Sequence, residues 1–96
     1  MEEKTLLLQL EEAARHLSVP VRYESIESDD IFCPGGLCRV KGIDVIIINK
    51  HADMRQQIDT LVRALSGFDL SKVYLRPALR KFIENLEGEK HNLANE

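Results

Sequence analysis

Leu37-Cys38-Arg39-Val40-Lys41-Gly42-Ile43-Asp44-Val45-Ile46-Ile47-Ile48-Asn49 is the stretch on which the fold turns. Aliphatic and β-branched residues lie on both sides of Lys41-Gly42, and such side chains suit a pleated, half-buried surface. The segment therefore predicts two strands, Leu37–Val40 and Ile43–Asn49, joined by a two-residue turn in which glycine supplies positive φ. In that register Val40 faces Ile43, Arg39 faces Asp44, Cys38 faces Val45 and Leu37 faces Ile46. One face then carries Cys38, Val40, Ile43, Val45 and Ile47, and its wholly apolar character makes it the expected core face. The opposite face carries Leu37, Ile46 and Ile48 beside the Arg39–Asp44 pair. An antiparallel sheet face in water normally alternates with polar residues, so this second face needs a cover. Leu37, Ile46 and Ile48 are thus the interface candidates, to be covered by a second copy of the chain or, within one chain, by the first helix.

Outward from the hairpin, the apolar spacing changes. Leu6, Leu10, Ala13 and Leu17 recur at helical steps, with Leu7 and Ala14 widening the stripe, and predict a helix over Glu2–Leu17. Pro20 ends it, because the residue before a proline avoids helical angles. A first strand is expected over Val19–Ile26, where Val21, Tyr23 and Ser25 alternate with Arg22, Glu24 and Ile26. Cys33-Pro34-Gly35-Gly36 reads as a turn. After the hairpin, Met54, Ile58, Leu61, Val62 and Leu65 predict a helix over Ala52–Leu65, with Gly67 as its terminator. A connector over Phe68–Leu75 leads to Pro77, well placed in the first turn of a third helix. Leu79, Phe82, Ile83 and Leu86 give that helix its stripe, and Gly88 is expected to stop it. The reading is one α+β domain over residues 1–88, a two-layer fold in the order α-β-β-β-α-α with a small, mainly antiparallel sheet, followed by a polar, mobile tail over 89–96.

Composition narrows the function classes. The chain has 96 residues, 44% hydrophobic and 30% charged, with a net charge of −3, as expected of a single globular domain. Its lysines and arginines are scattered, and a nucleic-acid binder carries a basic stripe, so no nucleic-acid partner is expected. The longest aliphatic run, Val45–Ile48, is far short of the ~20 residues that span a bilayer. Leu6–Leu8 follow Glu2 and Glu3, where a secretory leader carries positive charge. Neither a membrane partner nor a leader is expected. Two cysteines are too few for a secreted disulfide scaffold, which favours a reducing, cytoplasmic setting.

Few residues carry a chemical signal. Cys33 and Cys38 flank Pro34-Gly35-Gly36, a turn able to bring two sulfurs together for redox chemistry or a shared metal. The structural alternative places Cys38 on the core face as a small hydrophobe and leaves Cys33 as a loop thiol. Structural zinc needs four ligands, and His16, His51 and His91 show no ligand spacing with the cysteines, so no metal centre and no cofactor is expected. Arg76 and Arg80 lie four apart and are candidates to hold a carboxylate or phosphate; the alternative is surface pairing with Asp69 or Glu84. Glu24, Glu27, Asp29 and Asp30 form an acidic run without the glycine pattern of an EF-hand loop. His51 has no partner nucleophile or acid in a recognisable pattern. No catalytic residue is assigned.

Gly36-Leu37-Cys38-Arg39-Val40-Lys41-Gly42, then Val45-Ile46-Ile47-Ile48-Asn49, then a helix, resembles the front half of the ImmA/IrrE-type metallopeptidase domain. That family has a helix, a small sheet whose hairpin ends in an isoleucine-x-hydrophobic-asparagine strand, and a helix bearing His-Glu-x-x-His. The family's zinc helix corresponds to Ala52–Leu65, which contains no histidine. Asp59, Thr60 and Arg63 stand where ligands and base would be, and His51 is followed four residues on by Arg55. Zinc hydrolysis needs three protein ligands, an open position and usually a carboxylate base. The resemblance implies a non-catalytic relative, not a zinc hydrolase. The Cys33–Cys38 and Leu75–Arg80 segments also look like those of small bacterial proteins with no established function to transfer. The expectation is a non-catalytic protein-interaction or self-associating module of a bacterial cytoplasm, a homodimer with room for a further protein partner. The second expectation is a thiol redox or metal-responsive protein using Cys33 and Cys38, and the third a small enzyme.

Overall fold

The computed structural model describes residues 2–27 and 31–94, with the side chains of residues 72 and 86–94 outside the description. Three helices, α1 (Glu3–His16), α2 (Met54–Leu65) and α3 (Pro77–Ala94), surround one side of three strands, β1 (Val21–Glu24), β2 (Gly35–Val40) and β3 (Ile43–Asn49). The order helix, three strands, two helices is the one expected. A 3₁₀ turn at Leu70–Lys72 fills the connector before α3.

The hairpin adopts the register read from its sequence, from Val40 opposite Ile43 to Leu37 opposite Ile46. Lys41 and Gly42 both take positive φ, 53° and 80°, the turn whose twist matches that of the strands. The sheet differs from expectation in one respect. β1 joins β3 in parallel, with Val21 beside Ile46 and Tyr23 beside Ile48, so the strand order is β1-β3-β2 and the sheet is mixed. The central strand is the apolar β3, since it alone must satisfy its backbone on both sides.

Placement of the helices reverses the expected faces. Ile46 and Ile48 are 0% exposed and join Leu6, Leu10, Ile58, Leu61, Leu65 and Leu79 in one core cluster. Leu37, on the same side, stays 45% exposed because it sits on the edge strand. The face expected to be the core is helix-free. Ile43 is 58% and Val40 40% exposed there, Cys38 is exposed, and the buried Val45 lies outside the core cluster. Ile46 and Ile48 therefore belong to the chain's own core and are withdrawn as interface residues. The reason lies in β1. Its apolar residues pair in register with Ile46 and Ile48, and its charged Arg22 and Glu24 fall on the other side with Ile47. Helices landing on the Arg22–Glu24 side would bury both charges.

Local chemistry sets the ends of the elements. Asp53 accepts from the Gln56 backbone N–H at 2.8 Å, and Gln56 Oε1 accepts from the Asp53 N–H at 3.1 Å. This reciprocal cap starts α2 at Met54 rather than at Ala52. α3 runs through Gly88 to Ala94, so the helix takes up most of the expected tail, and residues 95 and 96 lie outside the described ones. A glycine costs a helix roughly 1 kcal/mol against alanine, a weak stop with no proline behind it.

The two faces make opposite predictions. Ile46→Lys buries an unpaired ammonium and should cost more than about 4 kcal/mol, leaving the chain unfolded. Ile43→Lys places the same group in water and should change stability by about 1 kcal/mol or less. Urea denaturation followed by circular dichroism compares them; equal losses would contradict the face assignment.

Candidate functional site

Asn49 closes β3 and is 1% exposed. A buried amide must find partners, and this one does. Its Nδ2 donates to the Cys33 carbonyl at 2.8 Å and to the Ile26 carbonyl at 3.5 Å, and its Oδ1 accepts from the His51 backbone N–H at 3.0 Å. One side chain thus holds the exit of β1, the entry to β2 and the turn into α2. Gly35 follows, with φ of +121°. A Cβ there would collide with the Ile47 carbonyl oxygen and reach Ile48 Cα at 2.9 Å, so the close approach of β2 to β3 requires glycine.

These two residues deliver the cysteines. Both are free thiols; Cys33 is half-buried in the loop held by Asn49, and Cys38 is exposed on the helix-free face. The expected order, Cys38 hidden and Cys33 accessible, is inverted, as follows from the inverted sheet faces. Cys38 Sγ makes only a weak contact, 3.9 Å, with the Gly36 carbonyl.

Arg76 and Arg80 do not converge. Arg76 Nη2 lies 3.9 Å from Glu12 Oε2 on α1. Arg80 Nη2 turns the other way and donates to the Val73 and Leu70 carbonyls at 3.4 and 3.5 Å, tying the 3₁₀ turn to α3. The hollow that Arg80 lines, about 220 Å³, is also lined by Asp69 and Glu84, whose charges oppose an anion. Asp69 accepts from the Ser71 hydroxyl and backbone N–H, at 2.5 and 3.0 Å, and these bonds hold its carboxyl below the usual range.

Of the acidic run, Glu24 pairs with Arg22 on the helix-free face, and Asp29 and Asp30 lie outside the described residues. His51 is exposed in the turn before α2. Among the described residues, no three His, Cys, Asp or Glu side chains gather as a metal site would, and no helix is long and apolar enough to cross a membrane.

The strongest surface feature is the ground around β2. All four residues Leu37–Val40 are exposed. On the helix side, a shallow hollow of about 290 Å³ separates the Pro34–Leu37 segment from Thr60, Arg63 and Ala64 of α2 and from Gly67 just beyond it. On the other side lie Val40, Ile43 and Cys38. In the loop before β2, Ile31 is 75% exposed and Phe32 47%. Sequence reasoning missed Val40 and Ile43 as surface residues. The signal that finds them is the alternation of β1, once its parallel register is known. Comparison with family models, curated proteins and solved structures finds no match to this chain.

Two measurements test this geometry. A thiol reagent applied to the native protein should modify Cys38 first and Cys33 more slowly, as mass spectrometry of quenched samples would show; the reverse order would place Cys38 inside. Tyr23 donates to Glu11 Oε1 at 2.6 Å. Partial burial first, then this bond and the Glu11 charge, push its phenol above the ordinary value of 10.0. The unfolded chain therefore releases this proton before the folded one. Stability due to Tyr23 is intact below pH 10 and declines as pH rises beyond it. Tyr23→Phe should flatten that decline in urea titrations between about pH 9 and 11; an unchanged slope would remove Tyr23 as its source.

Proposed function

We propose that this chain is a non-catalytic, self-associating interaction module of a bacterial cytoplasm, and that the side of the molecule around β2 is its working surface. The observation that supports the reading is the exposed apolar ground there: Leu37, Val40 and Ile43 are 45%, 40% and 58% exposed on and beside an edge strand. Edge strands are usually blunted by charge, proline or brevity. β1 has these devices, being four residues long, preceded by Pro20 and bearing the Arg22–Glu24 pair. β2 is six residues long and carries one charged residue, Arg39, itself 3.8 Å from Asp44 of its own chain. An edge so lightly guarded suits a surface kept for pairing. The dimer expected from the sequence is proposed on different residues: Leu37 stays and Val40 joins it, in place of the buried Ile46 and Ile48.

The exposure of Cys38 favours a second reading, a thiol-responsive protein in which modification of Cys38 alters that surface. Its support is thinner, because reactive thiols sit beside a cation or helix N-terminus, whereas the contact that Cys38 Sγ makes is with the Gly36 carbonyl.

Sedimentation velocity over about 2 to 200 µM, the range of weak to moderate homodimers, tests self-association. A species of twice the chain mass that dissociates on dilution is expected. A single-chain mass at every concentration would end the reading.

A further inference from the structure

We infer that the partner at this surface is a second copy of the chain, docked by antiparallel pairing of β2 with β2 across a twofold axis at Leu37, to give a continuous six-stranded sheet. The inference rests on the self-association reading and states how it is built.

The hydrogen-bonding pattern fixes which groups of β2 point off the edge. β3 turns the N–H groups of Ile46 and Lys50 toward β1, where they donate to the Pro20 and Glu24 carbonyls at 2.9 Å, and that of Asn49 toward β2, where it donates to the Pro34 carbonyl at 2.9 Å. In an antiparallel ladder, alternate residues point at the partner strand and away from it. Pro34, Gly36, Cys38 and Val40 therefore face β3. Gly35, Leu37 and Arg39 direct their N–H and C=O groups off the open edge. A second β2 running antiparallel meets the same groups in return, with up to about six backbone hydrogen bonds in three narrow pairs.

The side chains suit that register. With Leu37 opposite Leu37 of the second copy, Cys38 faces Gly36, Arg39 faces Gly35 and Val40 faces Pro34. Each larger side chain meets a small or apolar one. The two Arg39 residues stand four positions apart, roughly 14 Å along the strands, beyond the ~8 Å over which exposed charges interact at physiological salt. On the helix side the two leucines meet beside the hollow bordered by Thr60, Arg63, Ala64 and Gly67, where Ala64 and Gly67 leave room and the exposed Arg63 lies at the rim. The contact is one strand long, six residues or roughly 20 Å, and two layers deep, again roughly 20 Å. Two such sides bury on the order of 800 Å², the size of a weak, transient interface. The dimer is accordingly expected to dissociate on dilution, and its helix-free faces lie side by side.

Cross-linking tests the axis. In a Cys33→Ser, Cys38→Ser background, Leu37→Cys and Arg39→Cys are treated with the thiol oxidant diamide, whose N=N bond takes up the two thiol hydrogens as the S–S bond forms. Narrow-pair Cα atoms lie about 5.5 Å apart, inside the roughly 4.4–6.8 Å that a disulfide needs. Leu37→Cys should therefore form covalent dimer at least about tenfold faster than Arg39→Cys. Leu37→Pro supplies a second arm. It deletes an outward N–H and leaves the β2–β3 ladder intact, because proline is tolerated on an edge. A folded Leu37→Pro should dissociate at least about tenfold more readily by sedimentation. A dimeric wild type with equal cross-linking rates, or a folded Leu37→Pro as dimeric as its parent, overturns the strand pairing and leaves self-association standing. A monomeric wild type overturns both.

Discussion

Ile46 and Ile48 are pressed under the helices, and the rest of the structure depends on that burial. They stand on the central strand, 0% exposed, and each contributes roughly 1.5–3 kcal/mol by leaving water. The same burial decides the other side of the sheet. A three-stranded sheet has two faces, and the described helices cover one. Once Ile46 and Ile48 take that side, Val40 and Ile43 are left in water and Cys38 with them. The apolar surface around β2 is thus a consequence of core formation and not a separate decoration.

Polar groups then fix what the apolar core leaves loose. Asn49 satisfies carbonyls from two loops and an N–H from a third, which no aliphatic residue at the end of β3 could do. Arg80 serves the connector in the same way. That work explains why the arginine pair makes no anion site: each guanidinium is drawn to a different oxygen, Arg76 to Glu12 and Arg80 to backbone carbonyls. Gly35 lets two backbones approach where any side chain would strike the Ile47 carbonyl. Asn49 and Gly35 shape the entry to β2, and so the open edge and its exposed thiol.

The two edges of the sheet are unequal for reasons visible in their residues. β1 is short and ion-paired on its helix-free side. β2 is longer, with glycine, leucine, cysteine and valine where a guarded edge carries lysine or proline. In a chain of this length little core remains to spare, and the apolar surface beside the β2 edge is what core formation leaves outside.

Much of this was legible before any coordinates. The hairpin register, its turn, the apolar stripes of α1 and α2, and the order of elements follow from spacing along the chain, because periods of 2.0 and 3.6 residues are local properties. The Asp53–Gln56 cap of α2 goes unread by spacing alone, and the helix is accordingly expected to begin at Ala52. What only the tertiary structure decided is which face of the hairpin is inside. β3 is apolar on both sides, Ile43-Val45-Ile47 against Ile46-Ile48, so alternation within the hairpin gives no preference. The choice comes from β1, a strand more than twenty residues away in sequence, whose parallel pairing aligns Val21 and Tyr23 with Ile46 and Ile48 and sends Arg22 and Glu24 outward. Strand pairing is non-local and is made when the elements meet, and a one-residue shift in it exchanges core for surface. The sequence by itself therefore determined the elements and the hairpin's register, and the packing of the helices against a sheet completed by β1 determined the surface this protein presents.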